Sequence, residues 1–304
     1  MENNIKTNFC ESLEFLRTEN IKLKNTRAYR LGIKLDGLST ALKKGIIIEY
    51  LVKQYNYRKI ARYACHVTIP NNNFDYGVYP QKKKFVIYTC ITGNYDNLLP
   101  PLYVHPDIDY VVYTDNDSVK SSMWDVRRVS DKVNKMNDNT LINRYFKFHP
   151  CDLFPDYDYA IYVDGNMRVV SDLRNMINRI NEKTGLAFHR HGVRNCIYKE
   201  AEVCRIIKKG NYKKISDQLK RYEAEGFPHE FGLYEANVIL TDLKSSEAKR
   251  IFDAWWQEFC ESGSFRDQIA LPYVVWSCGH EFDDIGNLGF HVNNNPKFEK
   301  VEHI

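Results

Sequence analysis

The run Tyr159-Ala-Ile-Tyr-Val-Asp164-Gly165-Asn166-Met-Arg-Val169 constrains this chain most. An apolar, β-prone stretch ends abruptly in an acid, a glycine and an amide. That pattern reads as a buried strand delivering oxygen-bearing side chains to the rim of a sheet. Residues i and i+2 of an extended segment point the same way, so Asp164 and Asn166 are expected to address one ion or one nucleotide together. Hard divalent cations take oxygen ligands and often share them with phosphates, so the pair suits Mg²⁺ or Mn²⁺ as cofactor. Gly165 leaves room for a ligand to approach the backbone. The competing reading is a strand that ends in an Asp-Gly turn.

Two earlier segments have the same grammar. Lys84-Phe-Val-Ile-Tyr-Thr-Cys-Ile ends in Thr92-Gly93-Asn94-Tyr95-Asp96, and Ile108-Asp-Tyr-Val-Val-Tyr-Thr ends in Asp115-Asn116-Asp117. Helical patterns follow at about 139–148, 197–209, 212–225, 247–261 and 267–278, with Gly226 and Gly263 as stop signals. Strands alternating with helices predict an α/β sheet whose ligands sit beyond the carboxyl ends of its strands.

The leading part differs in charge. Residues 1–84 carry a net +9 and the remainder −5. Phe9, Leu13, Leu16, Asn20 and Leu23 follow roughly helical spacing, and further apolar stretches at 38–42 and 46–55 are interleaved with lysines and arginines. Such helices suit peripheral contact with an anionic bilayer, or packing on the main domain or a second subunit. Residues 68–80 are rich in turn formers and read as a linker. The expected division is a basic helical extension with its linker over 1–80 and one domain over 81–304.

Several partners and compartments are disfavoured. No apolar run reaches membrane-span length, and the polar start lacks the apolar core of a secretory leader. The eight scattered cysteines form no CxxC pair, which suits free thiols in a reducing compartment. A cytoplasmic protein is expected, with possible attachment to the inner face of the plasma membrane. Nucleic acid is not expected, since the basic segment has no stacking motif and the main domain is acidic.

Each chemistry-bearing candidate has a structural alternative. The Thr92-Gly93-Asn94-Tyr95-Asp96 turn can meet a base or ribose, or simply turn. Asp115 can accept from a ribose or cap the next element. Arg144 and Lys147 lie three apart on a helix and share a face, which can hold a diphosphate or be solvated. His189, His191 and Arg194 can bind phosphate, a metal or sugar hydroxyls. Glu235 and Asn237 alternate as Asp164 and Asn166 do. Arg266, Asp267 and Gln268 open a helix, as caps or as sugar-hydroxyl partners. His291 is a lone surface histidine or a third metal ligand.

In order, these motifs resemble a known family. Thr92-Gly-Asn-Tyr-Asp96, Tyr113-Thr-Asp115, Arg144-x-x-Lys147, Leu153-Phe-Pro155, Tyr162-x-Asp-Gly-Asn166, His189-x-His-Gly-x-Arg194, Glu200-Ala-Glu202, Glu225-Gly-Phe-Pro228, Gly232-Leu-Tyr-Glu235, Trp255-Trp256 and Arg266-Asp-Gln268 look like the TOD1/MUCI70 type of glycosyltransferase-like domain. The resemblance covers about two thirds of the chain. It implies a GT-A-like fold, a Rossmann-related mixed sheet flanked by helices. It also implies transfer of a sugar from a nucleotide-diphosphate donor, a UDP-sugar above others, to a glycan or lipid-linked acceptor in surface polysaccharide synthesis. By the same resemblance Asp164 and Asn166 stand where GT-A enzymes keep an acid-x-acid metal motif. Here the second acid is an amide, which adds no charge to a cation site. Asp267 or Glu235 then contacts the acceptor or acts as its base. The donor would be held by Thr92, Gly93, Tyr95, Asp96, Asp115, Arg144, Lys147, Asp164, Gly165, Asn166, His189, His191, Arg194, Asn237, Arg266 and Gln268. The competing expectation is a catalytically weak nucleotide-sugar or glycan-binding module in a biosynthetic complex.

Overall fold

The computed structural model describes residues 2–65, 74–79 and 83–303. Three helices lead: α1 (Glu2–Asn25), α2 (Arg27–Lys43) and α3 (Ile47–Ala61). The main body runs β1 (Phe85–Ile91), β2 (Ile108–Thr114), β3 (Asp125–Arg128), α4 (Asp131–Asn134), α5 (Asn139–Phe148), α6 (Pro150–Leu153), β4 (Tyr159–Val163) and β5 (Met167–Val169). It continues through β6 (Leu186–Arg190), α7 (Ile197–Ile207), α8 (Tyr212–Ala224), β7 (Tyr234–Asp242), α9 (Ser246–Ser262), α10 (Asp267–Ser277), β8 (Gly286–Phe290) and β9 (Phe298–Lys300).

Seven strands form one sheet in the order β3-β2-β1-β4-β7-β6-β8, and β5 pairs with β9 in a separate ribbon. Strand β7 runs antiparallel to both neighbours, β4 and β6, while the other pairings are parallel. This is the mixed, helix-flanked sheet expected of a GT-A-like fold. The near-continuous apolar runs of β1 and β4 are explained by burial on both faces. Val86, Tyr88 and Cys90 pack under α5 and α7–α10, with Trp255 and Phe148 at the centre. The alternate residues Phe85 and Ile87 pack against Met176, Leu173, Val292 and Phe298 on the opposite face.

The leading helices leave much of their apolar stripe uncovered in this chain. Phe9, Leu16 and Leu23 are exposed, whereas Cys10 on the other side of α1 is buried. Their anchors are polar instead. Arg17 pairs with Glu299 at 3.3 Å, Glu14 pairs with Lys297 at 2.7 Å, and the Cys65 N–H donates to the Val193 carbonyl. The α2–α3 hairpin stays largely uncovered, with Leu42 62% and Ile48 75% exposed. Part of the expected linker, residues 68–73 and 80, lies outside the described residues. Residues 74–79 are strapped to the body, for Tyr76 is buried and its hydroxyl donates to the Leu288 carbonyl. Among the described residues no helix is long and apolar enough to cross a membrane. All eight cysteines are free thiols.

Candidate active site

A cavity of about 520 Å³ opens beyond the carboxyl ends of β1 and β4. Its lining brings together Thr92, Gly93, Tyr95, Asp96, Arg144, Lys147, Asp164, Gly165, Asn166, Asn237, Arg266, Asp267 and Gln268. Loop chemistry builds its β1 side. Gly93 has φ +64°, a conformation glycine adopts without a Cβ clash. Its N–H donates to both carboxylate oxygens of Asp115 at 3.0 and 3.1 Å. Asp115 therefore pins the loop from outside the cavity and does not line it.

The Asp164-Gly165-Asn166 segment forms the tight turn of the competing reading, at the rim of the cavity. The Met167 N–H donates to the Asp164 carbonyl at 2.8 Å, closing a tight turn between β4 and β5. A turn breaks the i, i+2 alternation of a strand, so the two side chains diverge. Asp164 accepts from Asn237 Nδ2 at 2.9 Å, while Asn166 donates to the Val301 carbonyl at 3.2 Å. Gly165 is needed for proximity: a Cβ there would sit 3.0 Å from Ile91 Cγ1 and 3.1 Å from Asp96 Oδ2. That contact ties the first loop to the third.

Helix α5 carries the buried cations. Asp138 caps it, accepting from the N–H groups of Thr140 and Leu141 at 2.8 and 2.9 Å. Ile142 and Phe146 face the core. Arg144 and Lys147 do share a face, and it is not solvated. Lys147 Nζ lies 2.8 Å from Asp267 Oδ2 and 3.6 Å from Asp164 Oδ1, and Arg144 Nε lies 2.9 Å from Asp267 Oδ2. Burial pushes the Asp267 carboxyl up, but Arg144, Lys147 and Arg266 outweigh it and hold the carboxyl well below the usual carboxylate range. Asp267 is thus the counter-charge of Lys147 and Arg144, and a carboxyl held that low is poorly matched to the general-base role that an inverting reaction would ask of it. The Trp255 indole N–H fixes its backbone carbonyl at 3.1 Å.

Besides Asp115, five expected site residues lie elsewhere. His189 is fully buried in the sheet, with Nε2 2.9 Å from Asn295 Nδ2; burial drives its imidazole down to about 4. His191 closes a local turn, with Nδ1 accepting from the N–H groups of Val193 and Arg194. Burial, then the neighbouring Arg194, also holds it at about 4. Arg194 is engaged by Glu200 at 2.7 Å. Glu235 accepts from the Val292 N–H at 2.8 Å and faces His291 Nδ1 at 3.4 Å. Burial raises the Glu235 carboxyl, yet His291 wins and leaves it at about 2; Glu235 in turn holds His291 above its ordinary value. Neither Glu235 as base nor His291 as a ligand beside Asp164 fits this placement.

The separation has a cause. The β6–β7 register jumps from Phe188↔Ile239 to His189↔Glu235. The bulge turns Ala236 and Asn237 into the cavity and leaves Glu235 with the His291 cluster.

The residues present do not fit a ready cation site. Among the described residues no three His, Cys, Asp or Glu side chains are grouped so as to hold a metal. An ammonium already faces Asp164 Oδ1, and Asn166 turns amide hydrogens rather than acceptor oxygen to its neighbours.

Sequence reading missed Lys209, Gly210, Phe265, Lys300 and His303, all of which line the cavity. Lys209 follows α7 and Lys300 ends β9, so their positions depend on tertiary packing alone. Gly210 at φ +77° is a detectable signal: a Cβ there would meet the Arg266 stem at 2.9 Å. The surrounding protein and then Arg266 push the Lys209 ammonium below its ordinary value, with Lys300 adding to the effect. Neither Lys209 nor Lys300 has a hydrogen-bonded or ion-paired acid among the described residues. The cavity is therefore a cationic bay, and an anion is its natural complement.

Comparison with known proteins finds distant structural likenesses and one family match. The chain is similar to the apo structure of the bifunctional glycosyltransferase WbbM, at 14% identity and a TM-score of 0.42, over 66% of this chain and 39% of that one. It is also similar to the galactosyltransferase LgtC in complex with donor and acceptor sugar analogues, at 13% identity and a TM-score of 0.37, over 62% and 70%. Mouse xyloside xylosyltransferase 1 matches at 10% identity and a TM-score of 0.38, over 70% and 85%. The chain spans less than two fifths of WbbM. These likenesses are distant, and nothing about substrate follows from them. No curated protein sequence matches. The family model of the TOD1/MUCI70 glycosyltransferase-like domain matches residues 71–284, from the strapped segment before β1 to the turn before β8, and the chain belongs to that family.

Proposed function

We propose that this chain transfers a sugar from a nucleotide-diphosphate donor, a UDP-sugar in the first instance, to a glycan or lipid-linked acceptor. Family membership supports glycosyltransferase-type activity in general. The observation that carries the finer reading is the group of Lys209, Arg266 and Lys300 around one cavity, two of them without a hydrogen-bonded or ion-paired acid among the described residues. A diphosphate supplies the missing negative charge.

In the reaction the bond from the anomeric carbon to the β-phosphate oxygen breaks, and its electron pair leaves with the diphosphate. The acceptor oxygen bonds the same carbon and gives up its proton to the departing diphosphate. Preorganised cations lower the barrier by meeting charge where it develops. Lys209, Arg266 and Lys300 take that role. Asp164 is 26% exposed, the most open of the lining carboxylates, and faces the donor sugar. Lys147 and Asn237 hold it in place.

Calorimetric titration of UDP tests the assignment. Lys209→Ala and Lys300→Ala each weaken binding by about tenfold, as expected for losing one charge-assisted contact of about 1.5 kcal/mol. Unchanged UDP affinity in both variants would overturn the placement. A donor screen by mass spectrometry then identifies the sugar.

A further inference from the structure

Position 166 is where the resemblance puts a metal ligand, yet its side chain does something else. Asn166 and Val301 exchange two hydrogen bonds. The Val301 N–H donates to the Asn166 carbonyl at 2.9 Å, and Asn166 Nδ2 donates to the Val301 carbonyl at 3.2 Å. The same Nδ2 lies 3.3 Å from His303 Nε2. His303 Nδ1 lies 2.7 Å from Asp96 Oδ1, and its ring packs on Tyr95 with centroids 4.8 Å apart. These contacts fix one consistent pattern. Nδ1–H of His303 donates to the Asp96 carboxylate, so Nε2 is an acceptor, and the second amide hydrogen of Asn166 meets it.

Upstream, the same segment is anchored by other groups. Strand β9 pairs with β5, and Arg17 of α1 donates to the Phe298 carbonyl at 3.0 Å. Beyond β9 the hydrogen bonds of residues 301–303 go to Asn166 and Asp96. Lys300 and His303, which flank this stretch, both line the cavity.

We infer that Asn166 is a positioning residue, a two-donor latch that seats residues 298–303 along the cavity and thereby presents Lys300 and His303 to the donor diphosphate. The last step rests on the donor reading above; the latch itself does not. An aspartate at 166 has no amide hydrogens. It would set a carboxylate against the Val301 carbonyl oxygen and the His303 lone pair, placing acceptor against acceptor where the amide donates. The amide is thus what the segment requires, not a weakened metal ligand.

The test uses the full chain, with hydrogen–deuterium exchange over 298–303 and UDP calorimetry in EDTA and in Mn²⁺. In Asn166→Ala and Asn166→Asp the Val301 amide exchanges at least about tenfold faster, since two side-chain bonds of the latch are gone. UDP affinity falls about tenfold in N166A, and N166A/K300A binds no more weakly than N166A, because Asn166 acts through Lys300. Additive losses in that double variant would overturn the positioning role. So would N166D that keeps wild-type protection over 298–303, or that gains Mn²⁺-dependent UDP binding. If the wild-type chain binds no UDP while exchange responds as stated, the donor reading fails and the latch stands.

Discussion

Replacing Asp267 by asparagine removes the nearest negative charge from buried Lys147 and half-buried Arg144. Its Oδ2 sits 2.8 Å from Lys147 Nζ and 2.9 Å from Arg144 Nε, and the side chains of Asp267 and Lys147 are 8% and 2% exposed. Breaking such a buried pair strands the remaining charge in protein, which costs about 3–5 kcal/mol. Asn keeps the shape and one acceptor, so the lower end, about 3 kcal/mol, is expected. For a body of this size that is a fall in Tm of about 6–12 °C. Thermal and urea unfolding measure it directly. The pH dependence has a definite sign. The folded carboxyl is held far below its unfolded value of about 3.9. Its contribution is therefore complete above that value and is lost as pH falls through the interval beneath it. The gap between wild type and Asp267→Asn is constant near neutrality and narrows below about pH 4. Adding Lys147→Met recovers part of the loss, a coupling of about 1–3 kcal/mol, because the stranded ammonium is gone. An Asp267→Asn protein with wild-type Tm and no turnover would refute this reasoning and restore the residue as a general base.

Other perturbations separate the remaining assignments. Asp164→Ala lowers sugar transfer at least about a hundredfold while UDP, which carries no sugar, binds within about threefold of wild type; a parallel loss of UDP binding would mean Asp164 holds a phosphate-bound cation after all. The α2–α3 hairpin exposes apolar side chains among lysines and arginines, so the protein co-sediments with anionic vesicles and not with neutral ones, and Leu42→Glu with Ile48→Glu releases it. Equal binding to both vesicle types would exclude the electrostatic contribution. His291→Gln costs most stability at acid pH: Glu235 raises the His291 value, so the pair contributes fully below about pH 6.5 and its contribution disappears as pH rises through the higher folded value. A Tm gap between wild type and this variant that is as large at pH 9 as at pH 5.5 would contradict the ion pair.

What could be read from the chain and what could not follows from locality. Strands β2 and β4 and helix α5 sit where the apolar patterns place them, since each pattern is complete within one element. Arg144 and Lys147 were legible as neighbours for the same reason, because helical spacing alone puts them on one face. Their counter-charge was not, as Asp267 is 120 residues from Lys147 and arrives only when the fold brings the start of α10 to the Lys147 side chain. The placement of Glu235 away from Asn237 has a non-local origin. Alternation along β7 is broken, for the register jump at Phe188/His189 divides the strand between two environments. No local signal marks that bulge.

The Asp-Gly-Asn turn is the sharpest case of this limit. Its composition suits a metal site and a tight turn equally, and the choice between them depends on what reaches Asn166 from elsewhere. Val301 and His303 reach it, more than 130 residues downstream, with an acceptor oxygen and an acceptor nitrogen. Two acceptors call for a donor, and an amide supplies two hydrogens where a carboxylate supplies none. The departure from a second acid at this position is then the consequence of a long-range contact. On the donor reading proposed above, Lys209 and Lys300 would supply charge to the leaving diphosphate, and neither lysine has a local sequence pattern to announce it.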